Sequence, residues 1–514
     1  MADYLAGVDV GTTGARCMIF DLRGNPVARH YCDYGAIYPR PGWVEQQPEL
    51  LIEKTIEACR SAIGCSGIDP RRIASIGFSA QRSVACPVDA AGCAVRPMFS
   101  WQDARTSQEV EDLRQIVAAE QYYEQNGLPL GTTWIVTKIL WMRKHEPGLL
   151  AKTARFVQNQ DLVLRAFGAD DFYTDLCCAV FYGVWDVRRA DWNYPLLERL
   201  NLSPEMFGRP TPPGTRVGAV SPAVAEQTGF ATGTPLCVGA GDQNCSVLGM
   251  GAIEPGLATV TLGTAGLAIL ATDRPLPGFG GMMITHHVVP GMWEVEGLAN
   301  AAAASLRWFR DAIGTSEKQI EAAGGRDAYE QLDALAATAS PGSRGLLYLP
   351  YLAAAATPRW NPHARAAFVG LSFAHGRAEM TRAVMEGVVL EIRDMFEQWT
   401  AAGLSVRSLR IGGGATRSKL WNQIQADVYG RPVETLRVGE SAVLGAAILG
   451  GVAVGTFSSL EEAVAAMLHV ADGGEPYPQR HQCYEELYRA YVQTYEGLSA
   501  SGAFDALARI QSAS

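Results

Sequence analysis

The stretch "YLAGVDVGTTGARCMIFDLRGNPVARHY", Tyr4 to Tyr31, reads as strand, Gly-Thr turn, strand, Gly-Asn-Pro turn and strand. Near the middle of the chain "ATVTLGTAGLAILATD", Ala258 to Asp273, repeats the pattern in reduced form. About half of the 514 residues separate the turn Gly11-Thr12-Thr13-Gly14 from the turn Gly263-Thr264-Ala265-Gly266. Glycines let successive backbone N–H groups approach an anion and form a concave nest for phosphate oxygens. Threonine hydroxyls add donors, and Arg16 can add charge. Either turn alone reads first as an ordinary hairpin turn. As a pair, one opening each half, they are expected to grip a polyphosphate from both sides.

A chain of this length exceeds one core and implies two large domains or more. Hydrophobic residues at 48% and charged residues at 19% belong to a globular protein. The net charge of −10 argues against nonspecific binding to nucleic acid or acidic membranes, yet leaves room for an anion held by backbone amides. The leading "MADYLAGVDV" has no basic start and carries Asp3 and Asp9, so it is not expected to be a signal peptide. The apolar run "SAVLGAAILGGVAVGTF", Ser441 to Phe457, falls short of the roughly 20 residues a membrane helix needs. A buried helix ending at Gly450-Gly451 is expected there. The 11 cysteines include no Cys-x-x-Cys and read as reduced thiols, and neighbours His286-His287 on a strand would point to opposite faces rather than share a zinc. The expected compartment is the cytoplasm.

Strand and helix patterns alternate through both halves, which implies α/β layers with mixed sheets and an ancestral duplication. The expected division is 1–248 and 249–514. "PELLIEKTIEACRSAI" carries helical spacing behind Pro48. "TKILWMRKHEPGLLAKTARFV" is expected as two helices broken near Pro147, "LANAAAASLRWFRDAI" as a helix from about Ala299 to Ile313, and "RAEMTRAVMEGVVLEIRDMFEQWTAAG" as a long helix ending at Gly403.

Three spots carry candidate chemistry. Asp9 lies inside the apolar strand Leu5 to Val10, where an unpaired carboxylate costs several kcal/mol. A place near Mg²⁺, through water, suits it; the other reading is an Asp capping its own Gly-Thr turn. Asp242 in "VGAGDQNCS" follows a strand directly and precedes a helix of small residues. It reads equally as a general base at the strand's C-terminal end or as a helix N-cap. "IGGGATRSKLW", Ile411 to Trp421, puts three glycines before a helix, where a flat ligand or a phosphate can lie on the backbone. The P-loop, dinucleotide, protein-kinase and serine-hydrolase signatures are missing.

Taken in order, "DVGTTGAR", "PGWVEQQP", "WQDAR", "KILWMRKHEP", "GAGDQN", "LGTAG", "LPYL", "AFVGLSFAHGRAEMTRAVMEG" and "IGGGATRSKLWNQIQADVYGRPV" resemble the FGGY carbohydrate kinases from Tyr4 to about Leu498. The resemblance implies two duplicated actin-like, ribonuclease H-like lobes with ATP between them. By position, Asp9, Gly11, Thr12, Thr13 and Arg16 would face the phosphates and Mg²⁺. Gly263 and Thr264 would form the second phosphate loop, and Gly413, Gly414 and Ser418 would lie by the adenosine. Asp242 matches the catalytic base, with Gln243 beside the sugar. Gln81, Arg82, Trp101 and Asp103 match positions lining the sugar pocket. The implied partners are a small sugar or polyol and, from the family's habit, a second copy of the chain.

Departures bear on the substrate. Xylulokinases read Gln-Met-His-Gly where this chain has Gln81-Arg82-Ser83-Val84, and glycerol and autoinducer kinases follow the Arg with Glu, which is missing here. The family's Gly-Glu-Arg before Thr-Pro is replaced by Ala354-Ala355-Ala356. "WQDAR" and "KILWMRKHEP" are more similar to xylulokinases, so the expected reaction is D-xylulose to D-xylulose 5-phosphate. The alternatives are an autoinducer precursor, ribulose, glycerol or another polyol, and, in another class, a noncatalytic actin-like ATP switch.

Overall fold

Two mixed sheets organise the computed structural model, which describes residues 3–276 and 280–513. The first is built from β1 (Tyr4–Val10), β2 (Gly14–Asp21), β3 (Pro26–Asp33), β4 (Ile73–Ala80), β5 (Arg216–Ala219) and β6 (Pro235–Gly241), in the order β5-β6-β4-β1-β2-β3. The second comprises β7 (Leu257–Leu262), β8 (Gly266–Thr272), β9 (Met283–His286), β10 (Trp293–Ala299), β11 (Ser408–Gly412), β12 (Val433–Leu436) and β13 (Val470–Gly474), in the order β9-β10-β8-β7-β11-β12-β13.

The duplication is visible in the pairing. In each sheet an antiparallel hairpin (β1–β2, β7–β8) is extended on one side by a further antiparallel strand and on the other by two parallel strands. An antiparallel strand then closes that parallel side. The outer strand β9 belongs to the second sheet alone. The fold is therefore the two-lobed, actin-like α/β architecture expected.

Strand β1, antiparallel to β2 and parallel to β4, is buried on both faces, which are covered by helices. Ala6, Val8 and Val10 join the core beneath helix α1 (Pro48–Ser66), while Leu5 belongs to the cluster that contains Val443, Leu444 and Leu449 of a helix from the far end of the chain. With a period of two, Leu5, Gly7 and Asp9 share that second face. The glycines there are steric requirements. A Cβ on Gly7 would meet the Val443 carbonyl oxygen at 2.2 Å, and one on Gly77 in β4 would meet that of Ala446 at 1.8 Å.

Six helices complete the frame around the site: α1, α2 (Asp242–Gly249), α3 (Ala303–Ala312), α4 (Arg377–Ala401), α5 (Lys419–Tyr429) and α6 (Ser441–Ala453). Helix α6 is the apolar run, and it continues through Gly450-Gly451 instead of ending there. A Cβ at Gly450 would lie 2.8 Å from Ser75 Oγ and 3.2 Å from Gly77 N, so the glycine serves a close crossing and not a stop. No helix among the described residues is long and apolar enough to cross a membrane. Because α6 lies on the first sheet and against α2, a division at 248/249 parts the sequence more cleanly than the space.

Other local expectations shift. Residues expected to begin the Ala-rich helix at Ala299 instead finish β10, and the helix starts at Ala303. The second helix after Pro147 is one turn, Pro147–Leu150, followed by a strand at Arg155–Val157. The cysteines are free thiols.

Candidate active site

Parallel strands that end in register put their loops side by side. In the first sheet Val10 pairs with Ala80, and Ala80 with Gly241. Asp9, Gln81, Arg82 and Asp242 therefore gather at one edge. In the second sheet Thr261 pairs with Gly412, which sets the Gly263 turn beside Gly413. Gly413 has φ 84°, and a Cβ there would come within 2.6 Å of the Leu262 carbonyl oxygen. Only glycine fits.

Both turns have their carbonyls taken up. Tyr34 Oη donates to Gly11 O, Gln46 Nε2 donates to Thr12 O at 2.7 Å, and the amides of Tyr34 and Gly35 donate to Thr13 O at 3.0 and 3.1 Å. The second turn is one residue shorter between paired positions, Leu262↔Gly266 against Val10↔Ala15. Its Gly263 and Thr264 carbonyls accept from Ala303 N and Ala304 N at 2.9 and 3.3 Å, two amides at the start of α3 that lack an intrahelical partner. The last carbonyl of each turn accepts from the turn's own first amide, Gly14 O from Gly11 N and Ala265 O from Gly263 N, each at 3.0 Å.

Asp9 shares the α6-facing side of the sheet with Ser75, Gly77 and Ser79 of β4. Its Oδ1 accepts from Ser79 Oγ at 2.8 Å, not from an amide of its own turn. Burial and the nearby Asp242 carboxylate push its pKa up to about 6, against the opposing pull of Ser79 and Arg16. The acid lacks a full counter-charge, which suits a cation. Arg16, opposite Asp9 in the hairpin, is ion-paired with Glu440 at the start of α6, and its guanidinium lies 5.3 Å from the Tyr31 ring.

Asp242 is the first residue of α2, and Gly241 occupies the N-cap, so the capping role falls away. Its Oδ1 accepts from Gln243 N at 2.8 Å. The side chain keeps 29% of its surface accessible, and Arg82 Nε stands 3.6 Å from Oδ1. Burial raises its pKa, and Arg82 opposes the rise. A carboxylate so placed can accept a proton from a hydroxyl delivered to the cleft.

The wall around it mixes expected and unexpected residues. Gln81 Nε2 donates to Gln46 Oε1 at 2.8 Å, so Gln81, Gln46 and the Gly11 turn form one chain of bonds. Trp101 is 37% exposed and donates through Nε1 to Thr12 Oγ1 at 3.0 Å. Asp103 lies behind Trp101. It is fully buried, paired with Arg105 at 2.7 Å and bonded to Val44 N at 2.7 Å, so it holds the Trp101 loop from behind. Lys138, equally buried, donates to the Thr132 carbonyl oxygen at 2.7 Å, and desolvation lowers its pKa to about 8. In the second lobe Ser418 Oγ caps α5 through Trp421 N at 2.9 Å and donates to Asp333. Gly414 has open space where a Cβ would stand.

Sequence reasoning missed Gln46, Ser79, Glu294 and Glu296. The last two share one face of β10, opposite the face where Val295 and Ala299 enter the second core. Two acids at i and i+2 inside an otherwise apolar strand were the available signal.

Residues 4–249 match the model of the FGGY family of carbohydrate kinases, N-terminal domain, and 258–454 match that family's C-terminal domain. The chain belongs to the FGGY carbohydrate kinases, phosphotransferases that use ATP. It is 28% identical over 492 residues to a gluconokinase of Bacillus subtilis, covering 96% of this chain and 94% of that one. It is 29% identical over 511 residues to glycerol kinase 2 of Thermotoga maritima, covering 97% and 98%. Among solved structures, a xylulose kinase from Rhodospirillum rubrum superposes with a TM-score of 0.87 at 26% identity, covering 97% and 99%.

Proposed function

We propose that the chain transfers the γ-phosphoryl group of ATP to a hydroxyl of a small ketose, with D-xylulose as the acceptor and D-xylulose 5-phosphate and ADP as products. The observation that carries this reading is the partly open carboxylate of Asp242 at the edge where Asp9, Arg82 and the Gly11 turn meet. Its xylulose component rests on "WQDAR" and "KILWMRKHEP" and on the likeness to the Rhodospirillum xylulose kinase.

In the proposed reaction Asp242 accepts the acceptor's hydroxyl proton as that oxygen bonds to the γ-phosphorus. The bond from that phosphorus to the bridging oxygen breaks, and ADP leaves. The amides of the two glycine turns hold the spreading negative charge. Gly413 and Gly414 receive the adenosine, and Ser418 shapes that floor as the cap of α5. Closure of the lobes positions the reactants and excludes water, which can be worth roughly 7–11 kcal/mol. Among the described residues no cluster of three or more His, Cys, Asp or Glu could hold a metal alone. One under-neutralised acid with phosphate oxygens opposite fits Mg²⁺, so Asp9 would hold it through water. When bound, it would neutralise phosphate charge. The working unit is proposed to be a cytoplasmic homodimer of two-lobed chains, divided at 248/249, which light scattering can check for its stoichiometry.

Coupled ADP release, run with D-xylulose, D-ribulose, L-ribulose, glycerol and a linear autoinducer precursor, tests the reading. Release should depend on the acceptor and favour D-xylulose in kcat/KM. Asp242→Asn should lose about 10²–10⁴-fold in turnover while binding nucleotide normally. Acceptor-independent release would return the chain to the class of ATP switches, and retained turnover in the variant would remove Asp242 as the base.

A further inference from the structure

No acid follows Arg82 in sequence, yet the fold gives it one from 214 positions away. Arg82 Nη1 donates to Glu296 Oε2 and Nη2 to Glu296 Oε1, each at 2.7 Å. Glu296 sits on β10 of the second sheet with 1% of its surface exposed, and Arg82 on the loop after β4 of the first. The guanidinium also lies 4.8 Å from the centre of the Phe181 ring, with Asp242 at its Nε edge. A carboxylate fork, an acid and an aromatic face thus fix it from three sides.

The charges around this point do not balance. Asp9, Asp242, Glu294 and Glu296 are acids, and Arg82 is the cation set among them. Glu294 is fully buried and accepts from Asn244 Nδ2 at 2.8 Å, and burial and the neighbouring Glu296 raise its pKa. Arg16 is engaged by Glu440. One positive charge therefore answers Asp242 and Glu296 together, with Asp9 in surplus. Hydroxyl groups can donate to such a surface. A carboxylate brought there would find both nearby cations among the described residues, Arg82 and Arg16, already paired with acids, and would lose its hydration, a costly combination.

We infer that Glu296 is a positioning residue, supplied by the second lobe, that occupies the charge of Arg82 and so makes the site select neutral polyhydroxy acceptors over aldonates such as gluconate. The inference rests on the kinase reading above and deepens it. The distinction matters because relatives of this chain act on both kinds of acceptor, as their names state.

The test is kcat/KM for D-xylulose and D-gluconate side by side, in the wild type, Glu296→Gln, Glu296→Asp and the double variant Arg82→Gln/Glu296→Gln. Freed from its partner, Arg82 in Glu296→Gln should shift the gluconate-to-xylulose ratio toward gluconate by about tenfold or more, the scale of one hydrogen bond to a charged group. Glu296→Asp should return the ratio to the wild-type side, and so should the double variant, which removes both charges. A structural role alone would lower both acceptors together, and an unchanged ratio overturns the inference. Should Glu296→Gln not fold, competition in the wild type decides: D-gluconate should not inhibit D-xylulose phosphorylation at concentrations near the D-xylulose KM, and inhibition there overturns the inference. A wild type that phosphorylates gluconate as well as any ketose overturns it while leaving the kinase reading intact. A wild type that phosphorylates no acceptor removes both.

Discussion

The two glycine turns are the same device built with different parts. In the first, side chains and loop amides (Tyr34, Gln46, Gly35) take up the carbonyls; in the second, the first amides of α3 do so. The first turn is flanked by Asp9 and Arg16, whereas the paired strands of the second place Thr261 and Leu267 opposite each other where the first has Asp9 and Arg16. Both lobes carry the hairpin turn, and the charged pair flanks it in the first alone. The second lobe instead contributes an open glycine floor at Gly414 and an acid reaching across, Glu296.

If that division holds, variants in the two turns should fail differently. Of the substitutions at the two turns, Asp9→Asn is expected to cost the most, about 10²–10³-fold in kcat, on the scale of losing one electrostatic stabiliser. Gly263→Ala is sterically tolerated, since the nearest atom to its Cβ is Ala265 O at 3.6 Å. It should act through the KM for ATP, with kcat little changed. Equal kcat losses in steady-state assays would break the comparison.

Next in size is a stability effect. Gly77→Ala drives a methyl into the Ala446 carbonyl and should cost about 1–3 kcal/mol, by analogy with overpacked cores. Gly414→Ala faces open space and should stay within about 0.5 kcal/mol. Thermal or denaturant unfolding separates them, and similar losses would deny that α6 crosses the first sheet at backbone contact.

The smallest expected effect is on pH dependence. Asp242 must be ionised to accept a proton, and burial sets its pKa above the ordinary carboxylate value, so activity should fall on acidification before a surface carboxylate would protonate. Arg82 opposes that rise. Arg82→Gln should therefore move the acid limb of the kcat/KM profile to higher pH, and a shift to lower pH would contradict the pairing.

Much of this was legible in the chain because it is local. Strand, turn and strand at Tyr4–Tyr31, the acid after β6, and glycines before a helix need only neighbours in sequence to be read. What escaped depends on distant partners. Alternation in Trp293–Ala299 says that Glu294 and Glu296 share a face, but nothing nearby says the face meets Arg82. Gly450-Gly451 reads as a helix stop until β4 is seen pressed against it. Asp103 sits in the same motif as Trp101, and only the fold shows one exposed beside Thr12 and the other buried under Arg105 and Val44.

The central claim, that one nucleotide engages both turns, can be tested by hydrogen exchange of the backbone amides with and without a nonhydrolysable MgATP analogue. Protection should rise in residues 11–14 and in 263–266 together, with the same dependence on analogue concentration. Protection confined to one turn would contradict the account.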